Sequence, residues 1–249
     1  MPANFESEAL KAQATVARTY TAYKIHTGSK HEGADICDDS TCCQAWISKE
    51  DRFAKWNEGD QETNWNRITS AVEATKGEII TYNDEPINAF FHSNSGGNTE
   101  TVSNVWGGTD YPYLQSVETA GEEGYTQYSS NAIFTKEELV SKLQEKHPEL
   151  IIDWNVEKPI QITEYTESGR VKSICFGNVT ISGVEARMIF GLKSAMFNVD
   201  VGEKIEFTVT GYGHGVGLSQ TGADAMAKQG STYQEIINHY YTGVKIEKI

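Results

Sequence analysis

Trp65-Asn-Arg-Ile-Thr-Ser-Ala-Val-Glu-Ala-Thr-Lys-Gly77 runs directly into Glu78-Ile-Ile-Thr-Tyr82, Asn83-Asp-Glu-Pro86 and Ile87-Asn-Ala-Phe-Phe-His92. The change of period across Gly77 decides the fold class. Before it, Ile68 and Val72 stand four apart, the spacing of one helix face, which predicts a helix over 65–75 with Gly77 as its stop. After it, β-branched and aromatic residues flank a short Asn-Asp-Glu-Pro segment, the pattern of a β-hairpin.

Working outward, residues 7–24 read as a helix. Leu10, Ala14, Ala17 and Thr21 recur at helical spacing, with Ser7 as its N-cap and Gly28 beyond its end. A polar loop follows over 27–41. Further along, 113–118 reads as a strand and 120–130 as loop. Thr135 caps a helix through 145, and 160–166 with 171–176 form a second hairpin around Glu167-Ser168-Gly169. A short helix at 184–190, a strand at 204–210, helices at 219–229 and 233–241, and a last strand at 244–247 complete the chain. The class is α+β, with helices at both ends of the chain around a mixed strand-rich core. The acidic, Gly-rich stretch near Gly121 suggests a main domain of 1–119 and 201–249, with 120–200 as an inserted subdomain forming a substrate groove.

Of 249 residues, 21 are Lys or Arg and 35 are Asp or Glu, a formal net charge of -14. That argues against nucleic acid and anionic lipid as partners, because both need clustered cations. It leaves an uncharged polysaccharide open, and an acidic surface that merely keeps the protein soluble equally so. Mean hydropathy is negative, and no apolar run reaches the roughly 18 residues of a membrane span. No secretory leader precedes the first helix, so any export signal or anchor is expected upstream of Met1.

Three segments carry candidate chemistry. In Glu8-Ala-Leu-Lys-Ala-Gln-Ala-Thr-Val-Ala-Arg-Thr-Tyr20, Lys11 and Arg18 lie two turns apart on one stripe, where they could clamp polar groups or simply face solvent. Ser93-Asn-Ser-Gly-Gly-Asn-Thr-Glu100 follows a strand and offers backbone N–H groups and hydroxyls suited to sugar, or makes a plain turn. Gly211-Tyr-Gly-His-Gly-Val-Gly-Leu-Ser-Gln-Thr-Gly222 lets the backbone fold tightly ahead of a helix N-terminus, with His214 as a positioned polar group. It is neither a Walker loop nor a convincing dinucleotide fingerprint, and Ser219 stands in no nucleophile elbow.

Cys37, Cys42 and Cys43 lie within seven positions, near His31 and His26. His31, Cys37 and Cys43, with Cys42, His26 or water as a fourth ligand, make a structural zinc set. A Cys37–Cys42 disulfide is the alternative reading. Cys175 reads as a buried apolar residue in a strand. No His-Glu-x-x-His accompanies the cysteines, which argues against a zinc hydrolase.

Met1-Pro2-Ala3, Glu8-Ala-Leu-Lys-Ala-Gln-Ala14, Ala17-Arg-Thr-Tyr20, Ser93-Asn-Ser-Gly-Gly97, Tyr111-Pro-Tyr-Leu114, Gly213-His-Gly-Val-Gly-Leu-Ser-Gln-Thr-Gly-Ala223 and Ile236-Ile-Asn-His-Tyr-Tyr-Thr-Gly243 together resemble the motifs of the stage II sporulation protein D and amidase-enhancer family, in its order. The resemblance implies a lytic transglycosylase that cuts peptidoglycan between N-acetylmuramic acid and N-acetylglucosamine. It implies a cleft using Lys11, Arg18, Ser93, Ser95, His214, Ser219 and Gln220, with Tyr240 as a wall for sugar stacking. The family's expected acid is a glutamate just before Met-Pro, and within this chain Glu8 is the nearest candidate. The implied partners are glycan strands, an amidase and a membrane scaffold. The implied location is extracytoplasmic, at the mother-cell membrane facing the intermembrane space, with the anchor in a segment outside this chain. The cysteine loop is not part of the shared motif.

Overall fold

A computed structural model describes residues 1–28, 30–39 and 42–249. The polar-loop reading of 27–41 falls partly on Ser29, Ser40 and Thr41, which lie outside the described residues. In chain order the elements are α1 (Ser7–Thr27), α2 (Lys49–Ala54), a 3-10 turn (Glu58–Asp60), α3 (Gln61–Ala74), β1 (Glu78–Tyr82), β2 (Glu85–Pro86), β3 (Phe91–His92), α4 (Val102–Trp106), β4 (Ser129–Phe134), α5 (Lys136–Gln144), β5 (Ile160–Tyr165), β6 (Val171–Phe176), β7 (Val179–Ser182), α6 (Gly183–Phe190), β8 (Phe197–Val201), β9 (Ile205–Thr210), β10 (Leu218–Ser219), α7 (Gln220–Lys228), α8 (Tyr233–Tyr240) and β11 (Lys245–Lys248). The class is α+β.

The chain divides into two compact units, one of Met1–Phe91 with Ala223–Ile249 and one of His92–Gly222. The sequence reading set its boundaries at 119/120 and 200/201. The second unit extends past both because β8 pairs with β9 across residue 201 and because the 93–100 loop is hydrogen-bonded to 116–122 and to 212–221.

In the first unit α1 packs on α3, β1 and α8. Ala9, Ala12, Val16 and Tyr20 form its buried face, and alanine lets neighbouring backbones approach closely. Buried Thr19 turns its hydroxyl to the Thr15 carbonyl at 2.7 Å and accepts the Ile80 N–H at 2.9 Å, so helix and strand share one side chain. Ser7 is not the N-cap. Glu6 occupies that position without a side-chain cap, and its N–H donates to Asp224 Oδ1 at 2.6 Å. Arg67 holds the leader before α1, donating to the carbonyls of Ala3 at 2.8 Å and Phe5 at 2.6 Å. β1 pairs antiparallel with β2 and with β11. The hairpin turns at Asn83 and Asp84, both at positive φ (53° and 65°), the twist that matches flanking strands, so the returning strand is Glu85–Pro86, inside the expected turn, and the expected strand over 87–92 is reduced to β3. On α3 the buried residue is Ala71, while Val72 is exposed, so the expected Ile68–Val72 face is displaced by one position.

The second unit contains two antiparallel three-stranded sheets, ordered β4-β9-β8 and β5-β6-β7. Its core gathers Phe176, Phe190, Phe197 and Phe207 with Leu139, Leu143 and Ile174. Phe190 and Phe207 stack at 5.0 Å. Thr135 caps α5, as the sequence predicts, and Glu138 returns the bond to complete a reciprocal capping box. Residues 113–118 are not a strand; only an isolated bridge joins Glu118 to Asn98. β4 escapes sequence reading because none of its residues is buried, and its pairing with β9 rather than its side chains defines it. Cys175 is half-buried, with its thiol donating to the Gly177 carbonyl at 3.3 Å, rather than fully buried.

Candidate functional site

The two glycine-rich motif loops of the second unit are tied to one carboxylate. Glu122 is 0% exposed. Its Oε1 accepts from Ser219 Oγ, from Thr221 Oγ1 at 2.8 Å and from the Ser95 N–H at 3.2 Å. Its Oε2 accepts from Ser95 Oγ, from Thr119 Oγ1 at 2.7 Å and from the Gly97 N–H at 3.3 Å. Burial pushes the Glu122 carboxyl up, but donation by Ser219, Ser95, Thr119 and Thr221 outweighs it and holds the group below the usual carboxylate range. Glu122 is therefore a fixed anion around which the loops fold. Ser95 and Ser219, both 0% exposed, are spent on it, so they shape the loops rather than face a ligand.

A second anion lies nearby in chain and space. Buried Glu100 accepts from Thr166 Oγ1 and Ser168 Oγ, each at 2.6 Å, and from Asn104 Nδ2 at 2.9 Å. Buried Arg170 donates to the carbonyls of Asn98 at 2.9 Å and Ser95 at 2.8 Å. Burial lowers its pKa to about 10, with Glu100 and Glu122 opposing the shift. Gly215, at φ 87°, lies on this guanidinium. A Cβ there would come within 2.3 Å of Arg170 Nη2, so the glycine is required by the approach itself.

His92 and His214 bracket the Val216 peptide in opposite tautomers. His92 Nδ1 donates to the Val216 carbonyl at 3.1 Å, whereas His214 Nδ1 accepts the Val216 N–H at 3.1 Å. Burial, then the charge of Arg170, drives His92 down to about 3, so it is neutral at physiological pH. His214 is half-buried, with its ring 5.6 Å from His92 and 5.0 Å from Trp106, whose indole is 50% exposed. Half-buried Ser93 uses its backbone, donating to the Tyr212 carbonyl and accepting from the Thr221 N–H. Gln220 is half-buried at the first position of α7. Glu122, Glu100, Arg170 and Trp106 are not identifiable from the sequence. The one signal was the acidic Gly-rich stretch around Glu122, which reads as solvated loop.

In the first unit the structure places Glu8 in support of a helix start. Its Oε1 accepts from Lys11 Nζ at 2.7 Å and its Oε2 from the Tyr233 N–H at 2.8 Å, at the beginning of α8. Burial raises the carboxyl, but Lys11 and the Tyr233 N–H lower it further than that, so its pKa falls. A general acid needs the opposite shift. Arg18 does not form an exposed clamp with Lys11; it donates to the Glu78 carbonyl at 2.8 Å and joins α1 to β1. Tyr240 is 1% exposed and belongs to the core, so it offers no wall to a ligand.

The cysteine loop converges as a ligand set. The donor atoms of His31, Cys37, Cys42 and Cys43 all lie within 4.8 Å of one another. His31 Nε2 is 3.2 Å from Cys43 Sγ and 3.6 Å from Cys42 Sγ, and the latter two sulfurs are 3.9 Å apart. Tetrahedral zinc with bonds near 2.0–2.3 Å sets its ligands roughly 3.5–3.8 Å apart, so the set fits a metal. Burial raises the Cys43 thiol, but the Cys37 backbone N–H, His31 and the neighbouring thiols bring it down to about 6. The adjacent cysteines both reach the cluster, so of the candidate fourth ligands it is Cys42 that lies with the other three. His26 instead lies 3.9 Å from Glu85. The cysteines are free thiols, so the disulfide alternative is not what the structure contains.

A family model described as Stage II sporulation protein matches residues 1–82. Stage II sporulation protein D of Bacillus subtilis (strain 168) is 37% identical over 251 residues, covering 100% of this chain and 71% of that protein. Its counterpart in Bacillus amyloliquefaciens is 35% identical with the same coverage. The amidase enhancer of Bacillus subtilis (strain 168) is 26% identical, over 99% of this chain and 39% of that protein.

Proposed function

This chain belongs to the stage II sporulation protein D family, and from that membership we propose that it is a lytic transglycosylase acting on peptidoglycan during engulfment. A cell-wall role in sporulation follows from the family. The finer reading is carried by the whole-length likeness to stage II sporulation protein D.

The reaction needs one carboxyl group. As an acid it gives its proton to the glycosidic oxygen, the C1–O bond breaks, and N-acetylglucosamine leaves as the alcohol. The C6 hydroxyl of the muramic acid then attacks C1 and returns a proton to the same carboxylate, closing a 1,6-anhydro ring without water. This differs from the paired carboxylates of ordinary glycosidases. Glu8 and Glu122 are both held ionised, so neither suits the acid. The resemblance assigns that role to a glutamate joined directly before Met1. Of the residues that the resemblance assigns to binding, Ser93, His214 and Gln220 in the second unit remain within reach of solvent. Zinc held by His31, Cys37, Cys42 and Cys43 serves structure rather than chemistry, because four protein ligands leave no open position. The protein works outside the cytoplasmic membrane, anchored through a further segment at the mother-cell membrane, with an amidase and a membrane scaffold as partners.

The similarity to the amidase enhancer, together with the ionised state of Glu8, favours a second reading: a glycan-binding module that aids an amidase without cutting. Digestion of bare and peptide-bearing glycan strands separates the two. Mass spectrometry is expected to find anhydromuramic ends from a version carrying a glutamate before Met1, and none from this chain. Ends from both versions would return the acid to Glu8. Ends from neither, with both proteins sedimenting on the glycan, would replace the enzyme with the amidase-enhancing module.

A further inference from the structure

We propose that the groove between Trp46 and α2 is a subsite for a carboxylate-bearing sugar ring of a glycan strand, a proposal that rests on the cell-wall reading above. The groove has a volume of about 640 Å³ and is lined by Trp46, Ile47, Asp51, Arg52 and Lys55 among others. Such a volume lies in the usual range for ligand sites. Trp46 is 73% exposed, so its indole face is accessible to a ring stacking on it.

The helix beside it is built to present cations. No residue of α2 is buried. It is held instead by rings: Phe53 lies 6.0 Å from Trp56 and 5.9 Å from Trp65, and Lys49 Nζ sits 4.9 Å over Phe53 and 5.1 Å over Trp65. Arg52 lies 5.7 Å over Trp56. In a chain of net charge -14, this groove sets Arg52 and Lys55 against a single carboxylate, Asp51, which is already engaged by Ser48 Oγ at 2.8 Å. The local charge is thus complementary to an anion.

Position supplies a further argument. Trp46 follows Cys43 by three residues, so the indole is presented by the segment next to the cluster of His31, Cys37, Cys42 and Cys43. Muramic acid unites the two chemistries the groove offers, an apolar pyranose face for the indole and a lactyl carboxylate for the guanidinium.

The test is titration calorimetry on the full chain with two probes: peptide-free glycan strands, which carry lactyl carboxylates, and a GlcNAc hexamer, which carries none. Trp46→Ala should weaken both about tenfold, the worth of one stacked ring. Trp46→Phe, which keeps a ring, should recover most of that loss. Arg52→Gln should weaken the muramic strands several-fold and leave the hexamer unchanged. Unchanged binding of both probes by Trp46→Ala and Arg52→Gln, in a protein that still binds or cuts strands, overturns the subsite and spares the cell-wall reading. Equal loss of both probes in Arg52→Gln overturns the carboxylate assignment. Failure of the unaltered chain to bind either probe overturns the cell-wall reading and the subsite together.

Discussion

The motif loops of the second unit and the cysteine loop of the first are stabilised in opposite ways. Around Glu122, Glu100 and Arg170, buried charges are met by hydroxyls, amides and carbonyls of the protein itself. Around His31 and the cysteines there is little core to speak of, since no described residue between 21 and 70 is buried. There four donor atoms lie within 4.8 Å of one another, a set that could hold a metal ion. A buried anion with a complete hydrogen-bond shell organises loops without help. A segment with little core gains most from a staple, and a bound metal is one that these residues could supply.

The sharpest way to break this comparison is Glu122→Ala. It strands the hydroxyls of Ser95, Thr119, Ser219 and Thr221, and should cost roughly 3–5 kcal/mol in urea unfolding. A loss under about 1 kcal/mol would mean that the loops do not depend on the anion.

Acid should act next. His92 has a folded pKa of about 3 against an ordinary 6.5, so below pH 6.5 the unfolded chain takes up a proton that the folded protein refuses. Stability should therefore fall by about 1.4 kcal/mol per pH unit between those values. Glu122 and Glu100, both lowered from 4.5, add a second stage below that pH, as the unfolded carboxylates protonate first. Urea midpoints across this range check the two stages, and His92→Leu should abolish only the upper one.

Chelation should affect the cysteine loop alone. Hydrogen exchange is expected to lose protection around residues 30–47 and to keep it at 92–222, while cobalt substitution should give a thiolate charge-transfer band that Cys43→Ser weakens. Loss of protection across both units would erase the contrast drawn here.

The smallest effect should come from Glu8→Gln, which breaks a partly exposed pair with Lys11. Such pairs contribute at most about 1 kcal/mol. The yield of anhydro ends from the version extended upstream should stay unchanged if Glu8 is structural.

Much of the frame was legible. β1 and the turn after it, the cap at Thr135, the hairpin of β5 and β6, and the end helices follow from local periods and turn chemistry. The ligand set was legible too, because His31, Cys37, Cys42 and Cys43 lie close along the chain. The roles of single residues were not. Arg18, Ser95 and Ser219 have the residue types of a cleft, but their partners lie between 24 and 97 positions away, and Tyr240 lies in the core.

The sequence by itself determined the class, the end helices, the family motifs and the proximity of the thiols, because helix period, turn residues and short-range spacing are properties of neighbours along the chain. Only the tertiary structure decided which carboxylate organises the motif loops, which histidine stays neutral and which cysteines converge with His31. Those outcomes depend on burial and on donors brought from distant segments, and both appear only when the chain has folded.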